Sequence, residues 1–449
     1  MKYDAKKIGI LGGGESGTGA AVLARKKGFD VWLSDKGKIK DIYKNVLLNN
    51  DIQWEEGTHS EDILLSATEV VKSPGIPDNI PILDKIRSKN IPVISEIEFA
   101  GRYTDAKKIC ITGSNGKTTT TMLVYHMLKK AGYNVGLAGN VGKSFAWQVA
   151  ENNFDYYVLE VSSFQLDGMF DFKADVSVLL NIYPDHLDRY ENSLEKYFDS
   201  KKRIIQNQTE NDCFVYNADD PLINKWLSEN DVKPAVYPFS MKKKFKEGAY
   251  LLDNETLCIN INNEPLNIEI MEMTIQGVHN TYNSMAGGIT ARLVDVRKEF
   301  IKKSFCDFQN IEHRLESVGF VKGIEFINDS KATNVNSVWY ALESMTKPVV
   351  WIAGGQEKAN NYSELLPLVK SKVKALVCLG KNNENIIKAF KDVVPVVIET
   401  SSAEEAVVNA YNLGNPGDVV LLSPACASFD LFENFEDRGT KFKQAVFDL

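Results

Sequence analysis

This 449-residue chain has little that would point to disulfides, cysteine-bound metals or a membrane. Its six cysteines are scattered without a C-x-x-C pair, and its five histidines show no zinc-ligand spacing. We therefore expect reduced thiols in a cytoplasmic protein. No apolar run approaches the roughly 18 residues that a membrane span requires. A glycine-rich turn follows one short strand at the N-terminus, so we expect neither a signal peptide nor membrane insertion.

Positive charge is not in excess either. The chain carries 52 Lys and Arg against 60 Asp and Glu, a net charge of −8, which argues against a nucleic-acid-binding protein. Apolar residues make up 44% and charged residues 25% of the chain, as in ordinary globular proteins. The length predicts about three domains, and we expect a monomer.

A phosphate-binding loop is the clearest signal that is present. The strand-like run Lys108–Thr112 leads into Gly113–Thr118 (G-S-N-G-K-T), and a helical pattern follows. The backbone N–H groups of such a turn converge at a helix N-terminus, which favours an anion. Lys117 adds a charge for the β- and γ-phosphates, and the Thr118 hydroxyl is placed to bind Mg²⁺. The alternative is a strand–turn–helix corner with an incidental lysine, but the register favours a nucleoside triphosphate site.

A second glycine-rich turn lies in residues 1–95. A short strand is followed by Gly12–Gly17, a G-x-G-x-x-G sequence that opens a helix, and the next strand ends at Asp35. This order matches the dinucleotide fingerprint, whose acidic residue binds a ribose hydroxyl. Ser73–Gly75 is a tight turn after a third strand. We interpret the region as a Rossmann-like domain for a nucleoside diphosphate; NAD, or a turn needed only for packing, stays possible on these residues.

Polar side chains end two apolar strands of the central region, residues 96–310. Glu160 follows Tyr156–Leu159, where a carboxylate near a phosphate loop suits a metal ligand, the alternative being an ordinary strand-terminal Glu. The sequence D-H-L-D-R-Y, Asp185–Tyr190, follows the predicted strand Val176–Ile182 and forms either a functional cluster or a solvated loop. Lys201 lies on a predicted helix, and by composition alone it is a surface lysine.

The C-terminal region, residues 311–449, repeats an α/β pattern. Strands Val349–Ile352 and Ala375–Leu379 alternate with helical patterns, which predicts a second nucleotide-fold domain. The strand-like run Ile324–Asn328 leads into Asp329–Asn334, with the sequence D-S-K-A-T-N. By composition this loop could be a polar turn.

Taken together, these sequences resemble the Mur ligase family, the ATP-dependent amide-forming enzymes of peptidoglycan precursor synthesis. The resemblance rests on Gly113–Thr118, Glu160–Ser163, Asp185–Tyr190, the spacing of Lys201, the H-N-x-x-N segment from His279 and Asp329–Asn334. It covers essentially the whole chain. It implies an α/β protein with a Rossmann-like UDP-substrate domain (1–95), a central P-loop ATPase-like domain (96–310) and a C-terminal Rossmann-like ligase domain (311–449). The last is expected to bind the amino acid and close over ATP.

The family's functional residues carry over to matching positions. The resemblance implies catalytic roles for Lys117, Glu160, His186 and Lys201. It implies two Mg²⁺ ions on Thr118, Glu160, His186 and Lys201, the last as a carbamylated lysine. ATP is expected on Gly113, Ser114, Asn115, Gly116, Lys117, Thr118, Thr119, Asn280, Asn283, Arg314 and Asp329. The UDP-linked substrate is expected on Gly14, Glu15, Ser16, Asp35, Ser73, Pro74, Gly75, Asn140, Ser162 and Gln165.

The end of the chain narrows the choice within the family. The sequence S-P-A-C-A-S-F-D over Ser423–Asp430, and the residues after it, are similar to the D-glutamate-adding branch. D-Glutamate is then expected on Lys331, Thr333, Lys358, Ser428 and Phe435. Gln356 stands where some relatives have Asp. The implied reaction adds D-glutamate to UDP-N-acetylmuramoyl-L-alanine through an acyl phosphate, with release of ADP and phosphate.

Other functions stay open on the sequence. Another Mur ligase or a folylpolyglutamate synthetase-like ligase would share the core, although a folate site needs no glycine-rich first domain. An NAD-dependent oxidoreductase would explain residues 8–35 but leave Gly113–Thr118 unused. A nucleotide-binding sensor without catalysis is the alternative that is not an enzyme. His186 is a candidate general base, but ligation of Mg²⁺ would compete for its nitrogen.

Overall fold

The computed structural model describes residues 6–275, 277–308, 312–357 and 360–449. Lys358, predicted to bind D-glutamate, lies outside these residues. The described chain forms three α/β sheets and two compact units, Met1–Gln276 with Asn280–Phe308, and Gly277–His279 with Gln309–Leu449. Within the described ranges, no helix is long and apolar enough to cross a membrane. The α/β class with three sheets confirms the predicted fold class.

The first sheet has five parallel strands in the order β3-β2-β1-β4-β5. The strands are β1 Lys7–Leu11, β2 Asp30–Asp35, β3 Gln53–Glu56, β4 Glu69–Lys72 and β5 Val93–Ser95. The helices are α1 Glu15–Lys26, α2 Asp41–Asn49, α3 Glu61–Leu64, α4 Pro81–Ser88 and α5 Glu96–Gly101. The strand order reverses between β1 and β4, and ligands bind at such a switch point outside the carboxyl ends of the strands. The turns Gly12–Gly17 and Ser73–Gly75 follow β1 and β4 at this edge.

The second sheet has nine strands in the order β14-β13-β12-β11-β10-β9-β6-β8-β7. The strands are β6 Lys107–Thr112, β7 Val135–Gly139, β8 Tyr156–Glu160, β9 Val176–Leu179, β10 Cys213–Asn217, β11 Ala235–Ser240, β12 Gly248–Leu251, β13 Thr256–Ile261 and β14 Glu264–Glu269. The helices are α6 Lys117–Lys130, α7 Phe145–Glu151, α8 Ser163–Asp167, α9 Leu194–Lys202, α10 Pro221–Glu229, α11 Val278–Leu293 and α12 Lys298–Asp307. Among the described strands of this sheet, only β13 runs opposite to the others, and it pairs antiparallel with β12 and with β14. The strand predicted over Val176–Ile182 ends at Leu179, because the residues after it bond to the phosphate loop.

The third sheet has six strands in the order β15-β16-β20-β17-β18-β19. The strands are β15 Glu316–Val321, β16 Ile324–Asn328, β17 Val349–Gly354, β18 Val373–Leu379, β19 Val397–Thr400 and β20 Val419–Ala425. The helices are α13 Val335–Ser344, α14 Leu366–Lys372, α15 Glu384–Phe390, α16 Ala403–Leu413 and α17 Phe435–Phe447. Antiparallel β15 lies at one edge, and the other strands are parallel. Apolar clusters cover both faces of the sheet, as parallel strands require.

A single hydrophobic core joins the first two sheets. It contains Ile10 and Leu23 from the first sheet region and Phe145 and Tyr157 from the second. Helices α1 and α7 pack so closely that a Cβ on Gly19 would lie 2.3 Å from Ser144 Oγ. The first two predicted domains therefore form one compact unit, and the boundaries proposed at residues 95/96 and 310/311 stay predictions.

Candidate active site

The phosphate loop connects β6 to α6 through two glycines with positive φ. Gly113 has φ of +151° and Gly116 has φ of +83°, a region that side chains with a Cβ rarely adopt. The Lys117 ammonium group donates to the carbonyl oxygens of Gly113 (2.9 Å) and Ser114 (2.8 Å). The turn is thus wrapped around the Lys117 side chain, as a phosphate-binding loop requires.

The loop following β9 supports the phosphate loop from outside. The Asn181 carbonyl accepts from the Ser114 N–H, and its side-chain oxygen accepts from the Asn115 N–H at 2.8 Å. The Ser114 hydroxyl donates to the Tyr183 carbonyl at 2.9 Å and lies 3.2 Å from the Tyr197 hydroxyl. These contacts hold the backbone of Ser114 and Asn115 in a defined orientation. Sequence reasoning did not identify this support of the phosphate loop by Asn181, Tyr183 and Tyr197.

Helix α11 brings Asn283 to the same loop. Its Oδ1 accepts from the Thr120 hydroxyl at 3.3 Å, and its Nδ2 donates to Asn280 Oδ1 at 3.2 Å. A Cβ on Gly116 would lie only 2.2 Å from Asn283 Oδ1. The two asparagines predicted to bind ATP therefore lie beside the residues predicted to bind its phosphates.

Two buried ionisable groups lie at the carboxyl ends of the strands next to the loop. Glu160 ends β8 with 1% of its surface exposed, and its Oε1 accepts from Asn140 Nδ2 at 2.7 Å. Lys201 is also 1% exposed, and its Nζ donates to Thr112 Oγ1 at 3.1 Å. The composition-based view of Lys201 as a surface lysine is wrong, because α9 turns this side chain into the unit.

The environment of Lys201 favours the uncharged amine. Burial, and secondly the Lys117 charge, lower its pKa well below the usual value, and the charges of Asp185, Glu160 and Asp167 only partly oppose this. A neutral amine is the nucleophilic form of lysine. Lys117, Glu160 and Lys201 thus share one electrostatic environment, as the predicted catalytic roles require.

His186 follows in a strained turn. Its φ is +53°, uncommon for a residue with a side chain. Nε2 lies 3.6 Å from Asp185 Oδ2, and the ring packs edge-on against Phe164 with 5.1 Å between centroids. Across the described ranges, no three His, Cys, Asp or Glu side chains converge as a metal site. The predicted metal set of Thr118, Glu160, His186 and Lys201 stays a prediction.

The first glycine-rich turn is held by Asp35. Asp35 Oδ2 accepts from the Gly13 N–H at 2.6 Å, and Oδ1 accepts from the Gly37 N–H at 2.7 Å. A Cβ on Gly17 would lie 1.8 Å from the Gly12 carbonyl oxygen, so helix α1 starts as close to the turn as possible. Asp35 therefore orders the turn itself, a role that the fingerprint did not predict.

The other residues predicted to bind the UDP-linked substrate lie beside the first two sheets. Some are at the start of α8, next to the second sheet, and others follow β1 and β4 of the first sheet. Ser162 and Gln165 form a capping box at the start of α8, with Ser162 N–H donating to Gln165 Oε1 at 2.9 Å. Glu15 Oε1 accepts from the Ser144 N–H at 2.9 Å. Gly14, the N-cap of α1, has open space where a Cβ would point, and Ser16 lies in the first turn of that helix. Ser73 N–H donates to the Leu11 carbonyl.

In the C-terminal unit, Asp329 directly follows strand β16, and its carboxyl group is buried. Its Oδ2 accepts from the Ser423 hydroxyl at 2.9 Å, and its Oδ1 accepts from the Leu315 N–H at 3.3 Å. Burial raises the pKa of Asp329 to about 7, although the Arg314 charge lowers it in part. Arg314 and Asp329, both predicted to bind ATP, are therefore electrostatically coupled.

Two of the residues predicted to bind D-glutamate, Lys331 and Phe435, meet at the loop after Asp329. The Lys331 ammonium group lies 5.1 Å from the centre of the Phe435 ring, within cation–π range. The Thr333 N–H donates to the Lys331 carbonyl. Ser428 is buried, and its carbonyl accepts from the Phe432 N–H. Lys331 and Phe435 are brought together, and Gln356 pairs with Ala427 through two backbone hydrogen bonds.

Comparison with known proteins places the chain in a family. The Mur ligase middle domain matches residues 111–291, the Mur ligase glutamate ligase domain matches 313–426, and the MurD N-terminal domain matches 7–80. A protein of Christiangramia forsetii named UDP-N-acetylmuramoylalanine--D-glutamate ligase is 54% identical, over 99% of this chain and 100% of its own length. A Bacteroides fragilis protein of the same name shows the same identity and coverage.

The chain belongs to the UDP-N-acetylmuramoylalanine--D-glutamate ligase family. Among solved structures, it is similar to UDP-N-acetylmuramate-alanine ligase of Thermotoga maritima, with a TM-score of 0.64, 18% identity and 98% and 99% of the two chains covered. It is also similar to Escherichia coli FolC, with a TM-score of 0.59, 16% identity and 78% and 90% covered. At these identities, the likeness shows the shared fold.

Sequence reasoning missed Arg438 in this member of the D-glutamate ligase family. It is 1% exposed, and it donates from Nε to Ser330 Oγ (3.0 Å), from Nη2 to the Ser330 carbonyl (2.8 Å) and from Nη1 to the Cys426 carbonyl (3.2 Å). Burial lowers its pKa to about 10. Arg438 thus connects the loop that carries Lys331 to the end of β20. The available signal was its position among the residues after Ser423–Asp430, which resemble the D-glutamate-adding branch.

Proposed function

We propose that the protein joins D-glutamate to UDP-N-acetylmuramoyl-L-alanine in an ATP-dependent step of peptidoglycan precursor synthesis. The observation that carries this proposal is the 54% identity, over nearly all of both chains, to proteins named for this ligase. The Lys117-centred phosphate loop supports the ATP dependence. A nicotinamide-dependent enzyme would leave this loop without a role, and a folate-specific ligase would not need the first glycine-rich turn.

The proposed reaction has two steps. In the first step, the alanyl carboxylate attacks the γ-phosphorus of ATP, and the bond between this phosphorus and the bridging oxygen breaks. ADP is the leaving group, and the product is an acyl phosphate. The uncharged amine of D-glutamate then attacks the acyl carbon, the C–N bond forms, phosphate leaves, and the nitrogen loses a proton. Lys117 and the loop amides stabilise charge on the γ-phosphoryl group. Asn181 orients the loop, because its two oxygens accept from the N–H groups of Ser114 and Asn115; these two N–H groups are therefore not assigned to the phosphates.

Two Mg²⁺ ions belong to the proposal, held by Thr118, Glu160, His186 and carbamylated Lys201. When bound, Mg²⁺ neutralises charge on the phosphate oxygens. Glu160 suits this role because it is a buried carboxylate at the end of β8, with one oxygen oriented by Asn140. Oxygen ligands are the kind that Mg²⁺ prefers.

The chemistry of its site supports the proposed carbamylation of Lys201. CO₂ reacts with the neutral amine, a C–N bond forms, and one proton is released, so the product is an anionic carbamate. The lowered pKa of Lys201 favours the neutral amine. The nearby Lys117 charge, which opposes an ammonium group there, favours a carbamate instead. The modification therefore converts an unfavourable buried cation into a metal ligand.

The remaining assignments follow the two substrates. The UDP-linked substrate is assigned to the turns held by Asp35 and to Ser73–Gly75, with Asn140, Ser162 and Gln165. D-Glutamate is assigned to Lys331, Thr333, Lys358, Ser428 and Phe435, since cationic and hydroxyl donors suit two carboxylates. Arg314 and Asp329 are assigned to ATP. A monomer in the cytoplasm remains a prediction.

The test is phosphate release from ATP and Mg²⁺ with UDP-N-acetylmuramoyl-L-alanine. D-Glutamate, L-glutamate, L-lysine and meso-diaminopimelate are offered in parallel reactions, and Lys117→Ala serves as the inactive control. We expect release with D-glutamate alone. Release with another amino acid would refute the assigned specificity while keeping the ligase chemistry. Nucleotide binding without release in any reaction would favour the sensor alternative.

A further inference from the structure

The side chain of Arg189, in the D-H-L-D-R-Y sequence, reaches a segment 113 to 115 residues earlier in the chain. It ends a short 3₁₀ turn, Leu187–Arg189, in the loop that carries His186. Residues on both sides of the turn have positive φ, +53° at His186 and +54° at Glu191, which is uncommon for residues with a side chain. The proposed mechanism gives Arg189 no role.

The Arg189 guanidinium group reaches the turn that follows β4. Nη2 donates to the Ile76 carbonyl at 3.0 Å, and Nη1 donates to the Pro74 carbonyl at 3.4 Å. Nη2 also lies 3.8 Å from Asp78 Oδ2. One planar group therefore contacts two carbonyls of the segment that contains Ser73–Gly75. A guanidinium group can do this because its donors form a rigid fork.

The same guanidinium group lies on Phe164 of helix α8. Its central carbon is 4.1 Å from the ring centroid, within the range of a cation–π contact. Phe164 also contacts the His186 ring edge-on at 5.1 Å, and Tyr190 stacks on it at 6.1 Å. Phe164 thus touches both Arg189 and the predicted metal ligand His186.

A second cation braces the turn from the first sheet. Lys72 ends β4, and its ammonium group donates to the Ile76 carbonyl at 2.9 Å and pairs with Asp78 at 3.3 Å. The Ile76 carbonyl therefore accepts from Lys72 on its own sheet and from Arg189 on the central loop. The Ile76 carbonyl is therefore held from both sides. A substitution of Arg189 removes one of these two hydrogen bonds and leaves β4 and its Lys72 contact in place.

We propose that Arg189 is a positioning residue that holds the Ser73–Gly75 turn in register with the centre around His186. The proposal rests on the proposed function, in which this turn binds the UDP moiety and His186 lies at the reacting end. Arg189 touches carbonyls of the turn and the plane of Phe164, so it fixes the separation between the two ends of the UDP-linked substrate. Arg189 acts through these groups and is not itself assigned a contact with substrate.

The chain offers a matched control. Arg87 also pairs with Asp78, at 3.0 Å, and donates to the Asp78 carbonyl at 2.8 Å. Its side chain is 47% exposed, against 21% for Arg189, and it forms no hydrogen bond to Pro74 or Ile76 in the described residues. Arg189→Met and Arg87→Met each remove a cation beside Asp78, but only the first releases the turn.

The experiment measures binding and turnover separately. Calorimetry gives the affinity of UDP and of UDP-N-acetylmuramoyl-L-alanine for the full-length wild type, Arg189→Met, Arg189→Lys and Arg87→Met. Phosphate release gives KM for each substrate and kcat. We expect Arg189→Met to raise KM for the UDP-linked substrate about tenfold, which corresponds to about 1.4 kcal/mol, with KM for ATP unchanged. Arg189→Lys keeps the charge but not the fork, and should lie between wild type and Arg189→Met.

The outcomes separate the inference from the function it rests on. Equal UDP affinity in Arg189→Met and Arg87→Met overturns the positioning role, and so does a parallel rise of KM for ATP. If Arg189→Met does not fold, the same comparison is made with Arg189→Lys, and wild-type values there overturn the role. A wild-type protein that binds UDP but releases no phosphate refutes the proposed reaction, while the UDP affinities still decide the role of Arg189.

Discussion

A Cβ atom on Gly116 would lie 2.2 Å from Asn283 Oδ1, closer than any real contact allows. The two residues are 167 positions apart, yet the phosphate loop and helix α11 touch at this point. The contact joins the predicted phosphate site to Asn283, which is also predicted to bind ATP. It also provides a sharp test of the loop geometry.

We predict that Gly116→Ala lowers phosphate release roughly 100-fold, because displacing groups by about 1 Å can cost that much in rate. Gly132→Ala is the matched control. Gly132 has φ of +84°, close to the +83° of Gly116, but nothing lies within 4 Å of its Cβ position. Both variants share the strain of a left-handed alanine, and only one displaces Asn283. Steady-state rates at saturating ATP distinguish them, and equal rates would contradict the predicted clash.

If Lys201 is carbamylated, its carbamate carbon should become labelled when ¹³C-bicarbonate is supplied. Protein equilibrated with ¹³C-bicarbonate should show a carbamate signal by ¹³C NMR, and Lys201→Ala should lose both this signal and activity. Short carboxylic acids should restore part of the activity, because they replace the missing carboxylate. Lys202→Ala is the control, since Lys202 pairs with Asp199 at the surface of the same helix. A fully active Lys201→Ala protein would refute the assignment.

The buried carboxyl group of Glu96 predicts how stability changes with pH. Glu96 Oε1 accepts from Ser144 Oγ at 2.7 Å and from the Ala146 N–H at 2.5 Å, and burial raises its pKa to about 7. The folded state therefore holds a proton that the unfolded state releases near its usual pKa, so this contribution to stability is present at low pH. It is lost as pH rises from about 4.5 to about 7, by roughly 3 kcal/mol.

Glu96→Gln should remove this contribution to the pH dependence. Asp329 titrates in the same window, with a pKa also raised to about 7, so some of the fall in stability should remain. Denaturant unfolding at about pH 5 and about pH 8 gives the change in unfolding free energy between the two conditions. Glu404→Gln, at an exposed position of α16, is the control. If Glu96→Gln keeps the full wild-type dependence, the raised pKa is wrong.

Arg438→Met should weaken D-glutamate binding and stability together. The change leaves the Ser330 and Cys426 carbonyls without their guanidinium donors, and each unsatisfied buried acceptor costs roughly 1–3 kcal/mol. Because Ser330 precedes Lys331, KM for D-glutamate should rise, while affinity for UDP stays the same. Lys441→Met, on the same helix, is the control, because it removes a pair with Asp437 and a cation–π contact with Phe432 but no hydrogen bond to Ser330 or Cys426 in the described residues. An unchanged melting temperature in Arg438→Met would contradict the structural role.

Much of the fold was predictable because it depends on local patterns. The strands that lead into Gly12–Gly17, Gly113–Thr118 and Asp329–Asn334 were each predicted from a short apolar run and the turn after it. Strand β9 was predicted three residues too long, because the apolar pattern continues through Ile182. The hydrogen bonds of Asn181 to the phosphate loop end the strand earlier, and no property of its own segment shows this.

The candidate site divides in the same way. A motif of consecutive residues identified Lys117 and Glu160, since one turn or one strand end determines their placement. Lys201 is different, because only the packing of α9 buries it beside Thr112. Arg189 and Arg438 belong to sequences that resemble the family, but no local pattern predicts their partners. Ile76 lies 113 residues from Arg189, and Ser330 lies 108 residues from Arg438.

The sequence by itself determined the α/β class, the two glycine-rich turns, the family and the identity of the residues predicted to react. Backbone conformation and amphipathic pattern over a few residues are enough for these features. Only the tertiary structure decided that the first two sheets share one core, that Lys201 is buried with a lowered pKa, and that Arg189 reaches the Pro74 and Ile76 carbonyls. Burial, pKa and contact depend on segments distant in the chain, and no local pattern records which of them will meet.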